Sequence, residues 1–271
     1  MKIALVWWFD KSGWVYPNWR DGLRAAIEEI AKKHDIGWYL DKTMPDPGEM
    51  DFLLFWSSSN EDYFNQLDLY KSERKGICLT TNPTHAENLR KMDIIFAESE
   101  PVYNEVRALG LPVIKAFGTD TDFFKPKKVK KTIEYFYPAT FSPWKRQRDI
   151  AYLGDRLLCV GTIQPDGRED FDACKNAGVK VEVGYFPAPT IRYYYERTKN
   201  VIIPAVHGSE RTVLEAMSMD ILPTIVHSEI NIKANSYLVE FKNSGLKSPR
   251  EFVVKNYSYK IYAKQLLKGI E

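Results

Sequence analysis

Short apolar runs alternate with amphipathic stretches from the first residues onward. "KIALVWW" (2–8) reads as a buried strand, and "RDGLRAAIEEIAKKHD" (20–35) as a helix with Leu23, Ile27 and Ile30 on one face. "DFLLFW", "KGICLTT", "DIIFAES" and "LPVIKAF" are four more strand-length segments, separated by polar or helical ones such as "SEPVYNEVRALG". Strand followed by helix, repeated, predicts a parallel sheet covered on both faces. The rhythm breaks at "FFKPKKVKK" and restarts with strand candidates "TIEYFYPA", "RLLCVGT", "VKVEVGY", "NVIIPAV" and "ILPTIVH". Helices are expected at "REDFDACKNAG", "PTIRYYYERT" and "ERTVLEAMSM".

The pattern predicts an α/β chain with two doubly wound, Rossmann-like domains, 1–126 and 127–253. A terminal helix over 254–271 carries Tyr259, Tyr262, Ala263, Leu266 and Leu267 on one side and must dock on something, the N-terminal domain being one candidate. Two such domains in tandem place the carboxyl ends of their strands around a cleft, where open parallel sheets bind ligands.

A chain of 271 residues with 44% hydrophobic and 27% charged residues suits one large domain or two ordinary ones and excludes global disorder. A net charge of +2 gives no support for a nucleic-acid partner. The basic run with Lys127, Lys128, Lys130 and Lys131 reads as a solvated linker, with a phosphate or peripheral membrane contact as the alternative. Cys78, Cys159 and Cys174 sit beside apolar runs at wide spacing, which suits buried thiols and gives no metal-ligand pattern. No stretch of eighteen apolar residues occurs, and the six-residue apolar run at the start is too short for a signal-peptide core, so a cytoplasmic protein is expected.

Candidate chemistry concentrates in "HGSERTVLEAMSMD" (207–220), where a strand gives way to a helix. Gly208 and Ser209 form the turn, with Ser209 the expected N-cap, and the amides of Glu210, Arg211 and Thr212 then face out of the helix end. That end suits a phosphate or diphosphate, helped by the Arg211 side chain. Glu215 lies one turn further on, in reach of hydroxyls attached to such a group. A helix-start glycine and one glutamate also occur in merely capped surface helices.

This segment resembles the nucleotide-sugar signature of glycosyltransferase family four, retaining enzymes of the GT-B fold, through Gly208, Arg211, Val213, Leu214, Glu215, Ala216 and Met217, with Pro223 following. "VIKAFGTDTDFFKP" is similar to that family's interdomain stretch, with Gly118, Asp120, Asp122, Phe124 and Pro126 in register and Phe117 in place of Asn. "YPATFSPWKR" resembles its phosphate loop, keeping Lys145 but placing Ala139 and Thr140 where Gly and Arg are expected; Arg146 or Arg148 offers a substitute for that arginine.

The resemblance implies that Glu215 holds ribose hydroxyls and that Lys145 neutralises the diphosphate. It gives Arg211 and Thr212 as amide donors to the same phosphates, beside Gly208, Ser209, Thr140 and Arg146. His207 stands where the family carries a glutamate that binds the donor sugar, and Asn82 where it often carries a histidine, with His85 three residues later. The aromatic stretch "WWFDKSGWVYPNWRDG" (7–22), with Gly13 and Trp14, is the expected acceptor side, joined in the cleft by Asn82, His85 and Gly118. The N-terminal half is shorter than the family's, which implies a reduced acceptor domain.

The implied activity is transfer of a sugar from a nucleoside diphosphate sugar to an acceptor hydroxyl of a saccharide, lipid or protein, with retention. No metal or other cofactor is expected. The departures at His207, Asn82 and Thr140 keep open a nucleotide-sugar binding protein that has lost turnover, and the shared fold keeps open a sugar-nucleotide epimerase.

Overall fold

In the computed structural model of the chain, residues 1–7, 22–40, 50–57, 64 and 72–271 are described. The chain divides into two compact units, Met1–Gly118 with Tyr259–Glu271, and Thr119–Ser258.

The first unit runs β1 (Lys2–Trp7), α1 (Gly22–Ile30), β2 (Asp35–Leu40), β3 (Phe52–Ser57), β4 (Arg74–Leu79), α2 (Ala86–Leu89), β5 (Ile94–Ala97), α3 (Glu100–Ala108) and β6 (Val113–Lys115). Its strands form a parallel sheet in the order β2-β1-β3-β4-β5-β6. Period-two alternation sends β1 side chains to opposite faces, and each face has its own core. Ile3 and Leu5 pack with Leu23, Ile27 and Ile30, whereas Ala4 and Val6 pack with Leu89, Val102 and Val106. This two-sided burial explains why the strands read as continuous apolar runs.

The strand β2 has no counterpart among the strands the sequence pattern predicts. Among the described residues it lies at the sheet edge, paired on one side only, where its Asp35 and Gly37 are tolerated and the apolar signal is weak.

The second unit runs β7 (Ile133–Pro138), a 3₁₀ segment (Gln147–Arg156), β8 (Leu157–Gly161), α4 (Arg168–Asn176), β9 (Lys180–Val183), α5 (Ala188–Arg197), β10 (Thr198–Ile203), α6 (Glu210–Ser218), β11 (Thr224–Ile225), α7 (Ile232–Asn243) and α8 (Pro249–Asn256). All its strand pairs are parallel, in the order β11-β10-β7-β8-β9.

The last helix, α9 (Tyr259–Ile270), belongs to the first unit and places Tyr262, Ala263, Leu266 and Ile270 in the core that α1 covers. Arg74 donates to the carbonyls of Gly269 and Ile270 at 2.8 Å each, a positive charge at the negative end of that helix. Cys78, Cys159 and Cys174 are buried thiols, none of them in a disulfide.

Candidate functional site

The order of the second sheet reverses between β7 and β10, which pair directly, as at Thr198 with Ile133 and Val201 with Phe136. A parallel sheet opens a crevice at such a switch point, beyond the carboxyl ends of its strands. The loops leaving β7 and β10 flank it, and they carry residues 139–146 and 204–209.

The loop after β7 is braced before it reaches Lys145. A Cβ on Gly161 would lie 2.3 Å from the Ala139 carbonyl oxygen, so only glycine lets the loop pass over the end of β8. Phe141 donates its amide to Thr162 at 2.7 Å, and fully buried Gln147 donates to the carbonyls of Ala139 and Thr140 at 3.3 and 2.9 Å. The Val206 amide donates to the Trp144 carbonyl at 2.9 Å and straps the two loops together.

The Lys145 ammonium therefore meets the start of α6. Its Nζ donates to Ser209 Oγ at 3.2 Å and to the His207 carbonyl at 3.3 Å. Gly208 makes the approach possible: its φ is +74°, and a Cβ there would lie 2.7 Å from Lys145 Nζ. Ser209 is the residue before the helix, but its side chain makes no capping bond, unlike the sequence expectation. With φ at +80° it holds the left-handed conformation that few non-glycine residues adopt, and its hydroxyl faces Lys145 and the buried Tyr137 hydroxyl, 3.5 Å away. The first bond inside the helix runs from the Val213 amide to the Ser209 carbonyl. The opening amides of an α-helix have no carbonyl partner within it, so the pole of α6 and the ammonium favour an anion at the same place.

Two residues without a local sequence signal complete this corner. Lys233 and Glu210 are both buried, with Lys233 Nζ 3.8 Å from Glu210 Oε1. Asn231, also buried, donates to the carbonyls of Ala205 and Gly208 at 3.0 and 2.9 Å and accepts the Ala234 amide at 3.3 Å, which ties the start of α7 to the loop before α6. The His207 imidazole lies at the surface of this corner. Partial desolvation, then the charge of Lys233, and last that of Lys145 hold it below the ordinary histidine range, against the opposing pull of Glu210.

Glu215 lies deeper along α6, 7% exposed. Tyr195 on α5 donates its hydroxyl to Glu215 Oε2 at 3.3 Å, and Arg211 Nε lies 3.6 Å from Oε1. Thr212 is buried in the first turn. Glu215 is thus paired on both of its oxygens.

The remaining sequence candidates are placed differently. Thr140 turns its hydroxyl to Thr162, bonding the carbonyl at 2.9 Å and the Thr162 hydroxyl. Arg146, the suggested substitute for a missing arginine, is engaged by Asp149 at 2.7 and 3.4 Å. His227 bonds the same carboxylate at 2.6 Å. Burial pushes the Asp149 carboxyl up, but the bonds from His227 and Arg146 leave it below its usual range. Arg148 pairs with Glu169 at 2.7 Å.

Asn82, His85 and Gly118 belong to the first unit. His85 stands before α2 without capping it, its Nδ1 3.2 Å from Glu87 Oε1. Gly13 and Trp14, with the rest of the aromatic stretch 8–21, lie outside the described residues. Among the described residues no group of three or more His, Cys, Asp or Glu is arranged to hold a metal, and no helix is long and apolar enough to cross a membrane.

The stretch "GTDTDFFKP" serves the second unit as a brace. Asp120 Oδ1 accepts the amides of Asp122 and Phe123 at 3.2 and 2.9 Å, closing a turn. Arg250 on α8 then donates to the carbonyls of Phe124 (3.0 Å), Thr121 (3.0 Å) and Ser218 (2.6 Å), fastening that turn to the end of α6.

The sequence matches no protein-family model and no curated protein. Solved structures match the fold over nearly the whole chain. HepE from Anabaena, in complex with UDP and glucose, aligns with a TM-score of 0.65 at 13% identity, covering 99% of this chain and 98% of that one. Sucrose-phosphate synthase from Thermosynechococcus elongatus aligns at 0.65 and 11% identity, covering 98% and 97%. A trehalose-6-phosphate synthase structure, from work on enzymatic glycosyl transfer with retention, aligns at 0.64 and 8% identity, covering 99% and 98%. Likeness at such low identity speaks for architecture, and the architecture is GT-B: an α/β chain of two Rossmann-like units built on parallel sheets of six and five strands.

Proposed function

We propose that this protein is a glycosyltransferase that moves a hexose-like unit from a nucleoside diphosphate sugar to an acceptor hydroxyl, with retention at the anomeric carbon. The observation that carries the reading is the meeting of Lys145 with the start of α6 at the switch point of the second sheet. An ammonium beside a helix pole fits the diphosphate of the donor. Glu215, further along the same helix, fits the ribose hydroxyls. The complex of HepE with UDP and glucose supports the same donor class.

In the transfer, the bond between the anomeric carbon and the diphosphate oxygen breaks, and that oxygen leaves with the electron pair. The acceptor oxygen bonds the same carbon from the same face and passes its proton to the departing diphosphate. No protein nucleophile takes part. The chain's work is to hold the charge that develops on the leaving group, through Lys145 and the helix pole, and to position the two reactants. Fixed positive groups take the place a metal ion would fill.

Calorimetry with UDP, GDP and ADP tests this. One of them is expected to bind, and Glu215→Ala to weaken it at least about tenfold, roughly 1.4 kcal/mol, with the fold retained and the melting temperature lowered because the buried Tyr195 hydroxyl loses its acceptor. Unchanged affinity, or no binding by any of the three, overturns the assignment.

A second reading, a nucleotide-sugar binding protein without turnover, is favoured by Thr140, whose hydroxyl is bonded to Thr162, and by the imidazole of His207 where a carboxylate is expected. UDP-, GDP- and ADP-glucose are the test: hydrolysis or transfer supports the enzyme, and binding with neither reaction supports the alternative.

A further inference from the structure

Tyr195 is fully buried, and its hydroxyl has a directed task. It donates to Glu215 Oε2 at 3.3 Å, and Arg211 Nε lies 3.6 Å from the other oxygen. The ring cannot drift. Phe136 meets it edge-on with centroids 5.2 Å apart at 88°, and Phe124 meets it at 6.0 Å and 90°. Phe124 is itself anchored, because its carbonyl accepts from Ser218 Oγ at 2.6 Å and from Arg250 at 3.0 Å. Burial first, and then the charge of Glu215, push the phenol far above its ordinary range, so it stays protonated and donates.

A glutamate has three rotatable bonds, and aiming it at two adjacent hydroxyls requires its carboxylate plane to be fixed. A carboxylate accepts about four hydrogen bonds, so a bond from Tyr195 orients the group without exhausting it. We propose that Tyr195 is a positioning residue that aims Glu215 at the vicinal diol of the bound nucleotide's ribose and thereby sets the preference for ribo- over dideoxyribonucleotides. This rests on the donor-site reading given above.

The test is calorimetry with UDP and 2′,3′-dideoxy-UDP, or the corresponding pair for whichever base the wild type prefers. The wild type is expected to favour the ribonucleotide by about tenfold or more, and Glu215→Ala to bring that ratio close to one. Tyr195→Phe keeps the ring and removes only the hydroxyl. It is expected to lower the ratio by about fivefold while affinity for the dideoxy compound holds within about twofold of wild type. Equal loss for both nucleotides, which a purely structural role would give, overturns the proposal, as does an unchanged ratio.

If the wild type shows no ribose preference, or Glu215→Ala leaves the ratio intact, the Glu215 assignment itself fails and this inference falls with it. Should Tyr195→Phe not fold, Phe124→Leu loosens the ring while keeping the hydroxyl. It is expected to lower the same ratio by about twofold to threefold, and an unchanged ratio there counts against the proposal.

Discussion

Lys145 Nζ lies 3.2 Å from Ser209 Oγ, although 64 residues separate them in the chain. Sheet topology closes that gap. Because β7 and β10 are neighbours, the loops that follow them open at the same edge, and the Trp144 to Val206 bond fixes their spacing. An ammonium and a helix pole that are unrelated in sequence thus act on one point.

Gly208→Ala tests how closely that contact is tuned. Its left-handed backbone costs an alanine about 1 kcal/mol, and the added methyl occupies the space beside Lys145 Nζ. The flexible amine moves and the fold survives. Thermal melting is expected to show the small loss, and calorimetry a fall in nucleoside diphosphate affinity of about tenfold or more. Wild-type affinity in this variant would mean that the Lys145 amine is not at the phosphates.

On the proposed donor reading, His207 couples binding to protons. Its folded-state value is depressed, so its contribution to stability is present above the ordinary histidine value and is lost as pH falls from there through the lowered one. An incoming diphosphate reverses the electrostatic balance and favours the imidazolium. Binding near the ordinary histidine value is expected to take up a fraction of a proton, measured by calorimetry in buffers of different ionisation enthalpy. His207→Gln is expected to abolish the uptake, and uptake that persists would assign it to another group.

Lys233 and Glu210 form a buried pair, and removing one member strands the other. Lys233→Met is expected to cost about 3–5 kcal/mol in urea unfolding, whereas Lys233→Met with Glu210→Gln recovers most of it. Glu210→Gln alone leaves a cation beside the helix pole, and nucleoside diphosphate affinity is expected to rise. A double variant no more stable than Lys233→Met alone would show that the two groups act independently.

Arg250→Ala removes two bonds to carbonyls of the brace that holds Phe124 and one to the Ser218 carbonyl at the end of α6. A loss of about 3 kcal/mol is expected, with limited proteolysis cutting within 119–126 before global unfolding. An unchanged cleavage pattern would place the stability of that turn elsewhere, most directly with Asp120.

Alternation of apolar runs and amphipathic stretches made the two-unit α/β fold readable, because strands buried on both faces announce themselves. The edge strand β2 did not, since one partner suffices to hold it. At the site, Gly208, Ser209 and Glu215 share one strand-to-helix segment and could be read together. Tyr195, Asn231 and Lys233 could not, because their partners lie 20, 23 and 23 residues away and only the folded sheet joins them. One clue was available for Tyr195. It falls in helical phase with Ala188 and Ile191, which marks it as the inward member of "RYYYER", though not which carboxylate it meets. The bond of Thr140 follows from a neighbour brought in by β8, which no local pattern foretells, whereas Arg146 and Asp149 stand only three residues apart.

The placement of α9 has a further consequence for how the chain matures. On the ribosome, residues 119–258 emerge as one uninterrupted stretch, able to close their own core at once. The first unit is synthesised earlier yet lacks Tyr262, Leu266 and Ile270 until the whole of the second unit has been made, so one face of its sheet must wait. The half made first is the half finished last.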